Sequence, residues 1–379
     1  MFSTFPSRTL FAATGVALLA AGHPALAAES VADFYNGKQM RLIVSTSPGG
    51  GYDIYSRFAA KHMEKFIPGQ PSIVPQNMPG AGHTRAGQYM ALAAPRDGSV
   101  IGTISNAMPF AQLVWPERFK FDTASFIWIG NVNEGNNVLM LWHTTGVKTW
   151  KDLLKKEIIV GATGVRSTSG LYPRALNNIL GTKLKLIVGF KGGSQMNLAM
   201  ERGEIDGRGS NAWASVKGLT PQYLRDKKLS LPIQMGLKRD PELKDVPLIW
   251  ELGRNEAEKK VLKLLSASSS IGRPILTTPG VPADRVAALR AAFDAAVAST
   301  AFVEEAKKRK LDINPTRGVE IQALVSDILS SPKDIQKLAR AAVTKGAVFD
   351  CRKLVKDNKL CAVPKKKKKK SSDEKEKSS

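Results

Sequence analysis

Cysteine and histidine are scarce in this chain: two and four residues out of 379. His62, His83 and His143 are scattered and form no HExxH-type pair. The two thiols have nine residues between them and no partner ligands nearby, so neither a metal centre nor a cofactor is expected. Aromatic residues make up only 7%, too few for the basic, aromatic-studded platforms that hold nucleic acid. Beyond the N-terminal region no apolar run approaches the ~18 residues of a membrane-crossing helix. Catalytic signatures are missing as well. "GGGYDI" is not GxGxxG, because Ile54 stands where the third glycine belongs. There is no GxxxxGK[ST] and no GxSxG, which leaves Ser167 and Ser169 without a nucleophile elbow.

Positive charge, in contrast, is plentiful, with a formal net charge of +23. Part of it sits in the C-terminal "KKKKKKSSDEKEKSS", a low-complexity tail expected to be disordered. Most belongs to the body, and a basic body suits an anionic partner: a small carboxylate, a membrane surface or nucleic acid. The first 27 residues read as a secretory leader, with Arg8 before an apolar stretch from Thr9 to Gly22 and a small-x-small "ALA" ending at Ala27. The mature chain is therefore expected outside the cytoplasm. In that oxidising setting the simplest reading of Cys351 and Cys361 is a disulfide closing a short loop.

Strand-like and helix-like segments alternate along the body. "MRLIVST", "SIVPQ", "GSVIGTIS", "SFIWIG", "NVLMLW", "EIIVGAT", "LKLIVGF" and "LPIQMGL" are strand-like. Helices are expected over Asp53–Phe66, Thr84–Ala94, Ser169–Leu180, Ser194–Gly203, Glu256–Ser268 and Ala283–Ser299, with three more between Ala301 and Val343. That alternation predicts an α/β fold with mainly parallel sheets, its ligand site outside the carboxyl ends of the strands. Two units are expected, 28–136 and 137–267. The later helices, 268–350, would pack back on the first unit if the chain crosses twice, leaving a C-terminal extension over 351–379.

Glycine- and hydroxyl-rich loops recur at the strand ends. "SPGGGYD" follows the first strand and opens a helix, so its backbone N–H groups could receive an anion. A plain tight turn with Asp53 as helix N-cap explains the same residues, and the two readings are compatible. "NMPGAGHTRAG", "GATGVRSTSG", "GFKGGSQ" and "GEIDGRGSNAW" are the other such loops.

Taken together, the leader, "SPGGGYDIYSR", "NMPGAGHTRAGQYM" followed by "PRDGSVIGT", and "VGFKGGSQMNLAMERGEIDGRG" resemble the periplasmic solute receptors of tripartite tricarboxylate transporters, the Bug receptors. The likeness runs over roughly Glu29 to Val343. It implies a two-lobe, type II periplasmic-binding-protein-like α/β fold with a cleft between the lobes. It also implies a monomeric periplasmic receptor, not an enzyme, that captures a small organic acid such as a di- or tricarboxylate and hands it to a membrane permease. Carried over to this chain, the first lobe would offer Thr46, Gly49, Gly50, Tyr52 and Asp53, and the second Thr163, Gly164, Ser167 and Thr168. Asp206 matches the acidic position of "GEIDG" and would face the cleft or hold a strand end. Arg166 departs from the small residues usual in its loop; pointing inward it would pair with a carboxylate, and outward it is surface charge. The cysteine pair and lysine tail lie outside the family pattern. Two other readings stand beside the receptor: an enzyme on a two-lobe scaffold, and a cationic surface or nucleic-acid binder driven by the tail.

Overall fold

The structure, a computed structural model, describes Met1 and residues 29–347, 349–355 and 357–363. The expected leader beyond Met1 and the lysine-rich tail lie outside the described residues.

Among the described residues, twelve strands form two sheets. The first contains β1 (Gln39–Val44), β2 (Ser72–Asn77), β3 (Val100–Thr103), β4 (Ile127–Asn131), β11 (Pro274–Thr277) and β12 (Thr316–Arg317), in the order β12-β4-β11-β3-β1-β2. The second contains β5 (Asn137–Trp142), β6 (Ile158–Ala162), β7 (Leu184–Val188) and β8 (Gly207–Ala212). It also holds the two-residue strands β9 (Leu229–Ser230) and β10 (Gln234–Met235), and its order is β10-β5-β8-β6-β7 with β9 paired to β5. The two-lobe α/β architecture expected from the sequence is therefore the one observed. The sheets are mixed, however, rather than mainly parallel. β2-β1-β3 and β7-β6-β8 are parallel, whereas β4, β11 and β12, and likewise β5 and β10, pair antiparallel. The parallel triplets are joined by helical crossovers. The chain leaves the first lobe from β4, enters the second at β5 and returns to the first at β11.

β5 carries the near-continuous apolar run "NVLMLW", buried along five of its six residues, as a strand covered on both faces should be. Under the first sheet, helices Gly51–Met63 and Ala283–Ala298 pack through Phe58 and Phe293, with Phe302 fully buried beside them. Truncating such a ring to alanine costs about 3–5 kcal/mol.

The chain passes to the second sheet between Asn131 and Asn137 and returns before Pro274. The helix Lys333–Val343, expected to pack back on the first lobe, instead lies mainly on the second, against helices Glu256–Ser266 and Thr168–Ala175. Asn178 Nδ2 donates to the carbonyls of Ala341, Ala342 and Thr344 at 2.9–3.1 Å. Its apolar stripe, Leu338, Ala339, Ala342 and Val343, joins a buried cluster shared by both lobes, and Arg340 pairs with Glu117 of the first. Cys351 and Cys361 form the disulfide read from the sequence, and the turn that ends at Cys361 packs on helix Glu256–Ser266.

Two local departures bear on the site. "GRGSNA", read as a loop, is the central strand β8. Its glycines are packing requirements: a Cβ on Gly207 would stand 2.4 Å from the Met140 carbonyl oxygen, and one on Gly209 2.1 Å from that of Ser169. Asp53 is not the N-cap of its helix. Gly50 is, and Asp53 sits in the first turn, where its carboxylate accepts from the Gly49 N–H at 3.0 Å, from Arg57 Nε at 2.7 Å and from Asn77 Nδ2 at 2.8 Å.

Candidate functional site

The carboxyl ends of the parallel strands of both sheets face one cleft of about 470 Å³, counted to its open mouth. The first lobe contributes the turn after β1 with the start of helix Gly51–Met63, and His83 from the loop after β2. The second contributes the β6 loop, the start of helix Gly193–Glu201 and one face of β8.

The lobes touch on both flanks. On one, the Ser47 N–H donates to the Lys191 carbonyl at 2.9 Å and Ser194 Oγ to the Pro48 carbonyl at 3.1 Å. On the other, His83 joins the lobes through its two ring nitrogens, Nδ1 to Ser45 Oγ at 2.8 Å and Nε2 to Thr163 Oγ1 at 3.3 Å. That ring is enclosed. Burial, with the positive charge of Arg273 adding to it, pushes its pKa down to about 3, so it bridges as neutral imidazole.

Two arginines face the interior, Arg208 at 8% and Arg273 at 9% exposure. Arg208 lies on β8, where the period of two turns residues 208, 210 and 212 to the cleft. Its Nη1 donates to Asn197 Oδ1 at 2.9 Å. Burial first, and Arg273 second, hold its guanidinium well below the ordinary range. Arg273 follows Gly272, whose φ of +58° and packing, with a Cβ there standing 2.0 Å from the Asn133 carbonyl oxygen, admit only glycine. The Arg273 guanidinium stacks over Tyr52 at 4.5 Å and donates from Nη2 to Ser215 Oγ at 3.0 Å. Gly51 lets it lie there, since a Cβ would stand 3.0 Å from that Nη2.

Among the described residues no carboxylate lines the cleft, and neither arginine has a salt-bridge partner. Thr46 Oγ1, Ser210 Oγ, Asn137 Nδ2 and Arg208 Nε are buried there without a hydrogen-bond partner. Buried polar groups left so cost about 1–3 kcal/mol each, and a convergent set of them with two guanidinium groups has the chemistry of an anion site. No group of three His, Cys, Asp or Glu side chains among the described residues stands at metal-binding distance.

Of the residues singled out from sequence, Thr46, Gly50, Tyr52, Thr163, Ser167 and Thr168 line this cleft. Gly49 lies behind it, on the far side of Gly50. Gly164 packs against Gly82. Asp53 braces the glycine loop. Arg166 points outward: its Nη1 donates to the Arg118 carbonyl at 2.9 Å. Asp206 is at the opposite end of β8, where its carboxylate accepts from the Ile159 N–H at 2.7 Å and holds the strand end. Sequence reading missed Arg208, Arg273 and His83. The signals were present, as one arginine among the small residues of "GRGSNA" and one after glycine in the apolar "SIGRPIL".

Residues 55–339 match the family model described as "Tripartite tricarboxylate transporter family receptor". A curated protein of Cupriavidus necator, "UPF0065 protein in gbd 5'region", is 28% identical over 256 residues, 65% of this chain and 74% of that one. Among solved structures, the periplasmic binding protein BugD superposes with a TM-score of 0.63 at 20% identity, over 80% of this chain and 97% of the other. MatC of Rhodopseudomonas palustris, solved with bound malate, superposes with a TM-score of 0.62 at 19% identity, over 79% and 99%.

Proposed function

Since the chain belongs to the receptor family of tripartite tricarboxylate transporters, we propose that it is a periplasmic receptor that takes a small organic acid into the interlobe cleft and delivers it to a membrane permease, with no chemistry on the ligand. The observation that carries this reading is the pair of buried arginines, Arg208 and Arg273, with no acid among the described cleft-lining residues, three unpartnered polar groups beside them and Arg208 Nε itself without a partner. A carboxylate supplies the missing charge and accepts from both guanidinium groups. Backbone N–H groups of the Gly50–Tyr52 turn and the hydroxyls of Thr46, Thr163, Ser167 and Thr168 complete the shell. Malate in MatC and adipate in another superposed Rhodopseudomonas palustris protein support a carboxylate as ligand class.

The test is a thermal-shift screen of mono-, di- and tricarboxylates, after unfolding and refolding to strip bound ligand, on the wild-type protein and on Arg273→Gln. At 100 times Kd a specific acid adds about 2.7 kcal/mol. Stabilisation by a few related acids, lost in Arg273→Gln, supports the receptor reading. Stabilisation equal in both proteins, or none across the panel, counts against it.

A further inference from the structure

Outside the cleft, a second concavity of about 1160 Å³, counted to its open mouth, opens where the lobes meet. Its cations are Arg85, Arg118 and Lys120 of the first lobe and Arg166 of the second; Tyr89 and Phe121 supply aromatic surface. Leu92 lies at its edge, 53% exposed. Among the described residues no carboxylate lines it, and Arg85, Lys120 and Arg166 have no salt bridge. The nearby Glu117 is occupied by Arg340 through two hydrogen bonds of 2.7 and 3.1 Å.

We propose that this groove is a docking surface for an acidic polypeptide segment of the protein that receives the ligand, assembled only when the lobes close. The proposal rests on the receptor reading above. Like charges crowded on one rim repel one another, and a chain of carboxylates relieves that while its apolar side chains cover the rings. An extended chain can follow the floor of this open concavity past Tyr89 and Phe121, whereas a flat lipid surface meets only its rim. Dependence on closure follows from Arg166. It stands on the loop that carries Gly164, and Gly164 meets Gly82 only across the closed cleft. Opening withdraws Arg166 from the Arg118 carbonyl and splits the cationic rim between two bodies.

The experiment is fluorescence anisotropy of a labelled peptide, Glu-Phe-Glu-Glu-Phe-Glu, on the full chain at about 150 mM salt, where the Debye length is about 8 Å. The wild type is compared with Arg85→Glu/Lys120→Glu, both of which lie away from the cleft, and with Gly164→Phe, which props the lobes apart. Tenfold or weaker binding in both variants, with the carboxylate-induced thermal shift of the double variant unchanged, is the expected result. Equal peptide affinity in wild type and double variant overturns the proposal, because the peptide then sits elsewhere, for example on the lysine tail. Capture of phosphatidylglycerol vesicles by the wild type and not the double variant, with no peptide contrast, overturns it in favour of lipid. Absence of any carboxylate-induced shift in the wild type overturns the receptor reading itself, whatever the peptide does.

Discussion

Gly82 of the first lobe and Gly164 of the second meet backbone to backbone: a Cβ on Gly164 would stand 2.6 Å from Gly82 Cα. A second pair, Gly50 and Gly193, makes the same kind of contact on the other flank, with 3.3 Å from a Cβ on Gly50 to the Gly193 nitrogen. The bare glycine loops of the sequence are thus closure surfaces as well as floors of the cleft.

Gly164→Ala places a methyl group into that seam. Overpacking of this kind costs about 1–3 kcal/mol, and here it falls on the closed form alone. Carboxylate affinity by isothermal titration calorimetry is expected to drop about tenfold or more. An unaltered Kd would show that ligand binding does not require the seam to close.

Arg208 holds a buried charge that no acid side chain neutralises. Such a charge weakens the ligand-free protein, and an apolar side chain of similar length relieves it. Arg208→Met should therefore raise the melting temperature of the ligand-free protein while abolishing the carboxylate-induced shift. This opposite movement of stability and binding separates a functional arginine from a structural one. A fall in both would assign it to the fold.

His83 gives the pH dependence its sign. Its folded pKa is depressed to about 3, from an ordinary value of 6.5. Above pH 6.5 the ring is neutral in the folded and unfolded chains alike, and the full stability is present. Below that, the unfolded chain takes up a proton that the folded chain refuses, and stability falls by about 1.4 kcal/mol per pH unit toward the folded pKa. His83→Gln keeps a donor and an acceptor but does not titrate. Chemical denaturation between pH 7.5 and pH 5 should show the wild type losing about 2 kcal/mol more than the variant. Parallel losses would mean that the ring protonates in place.

Much of the architecture was legible because periodicity carries it. The apolar runs of β1 and β5, and the alternation of strand and helix, are written locally. The glycine loops could be placed at strand ends because each lies between a strand and a helix. β8 escaped because its residues are small for a reason that exists only in three dimensions, the carbonyl groups of Met140 and Ser169 pressed against it. Arg273 escaped because it lies in a crossover, where no periodicity marks a side chain as inward. Asp206 and Arg166 illustrate the converse. Their residue types suit carboxylate chemistry, but their register puts one at the remote end of β8 and the other on the outer rim. The helix Lys333–Val343 was found, yet not its lobe, since an apolar stripe does not say which surface it covers.

That last helix has a mechanical consequence. Two crossing segments alone would let the lobes twist as well as open. The chain passes from helix Gly318–Leu329, which packs on β4, to Lys333–Val343 on the far lobe, and so ties the bodies a third time. A third tether away from the two crossings resists the twist that they alone would allow. The mouth consequently returns to the same register at each closure, and the two halves of the outer rim, carried on different bodies, come back into alignment every time the cleft shuts.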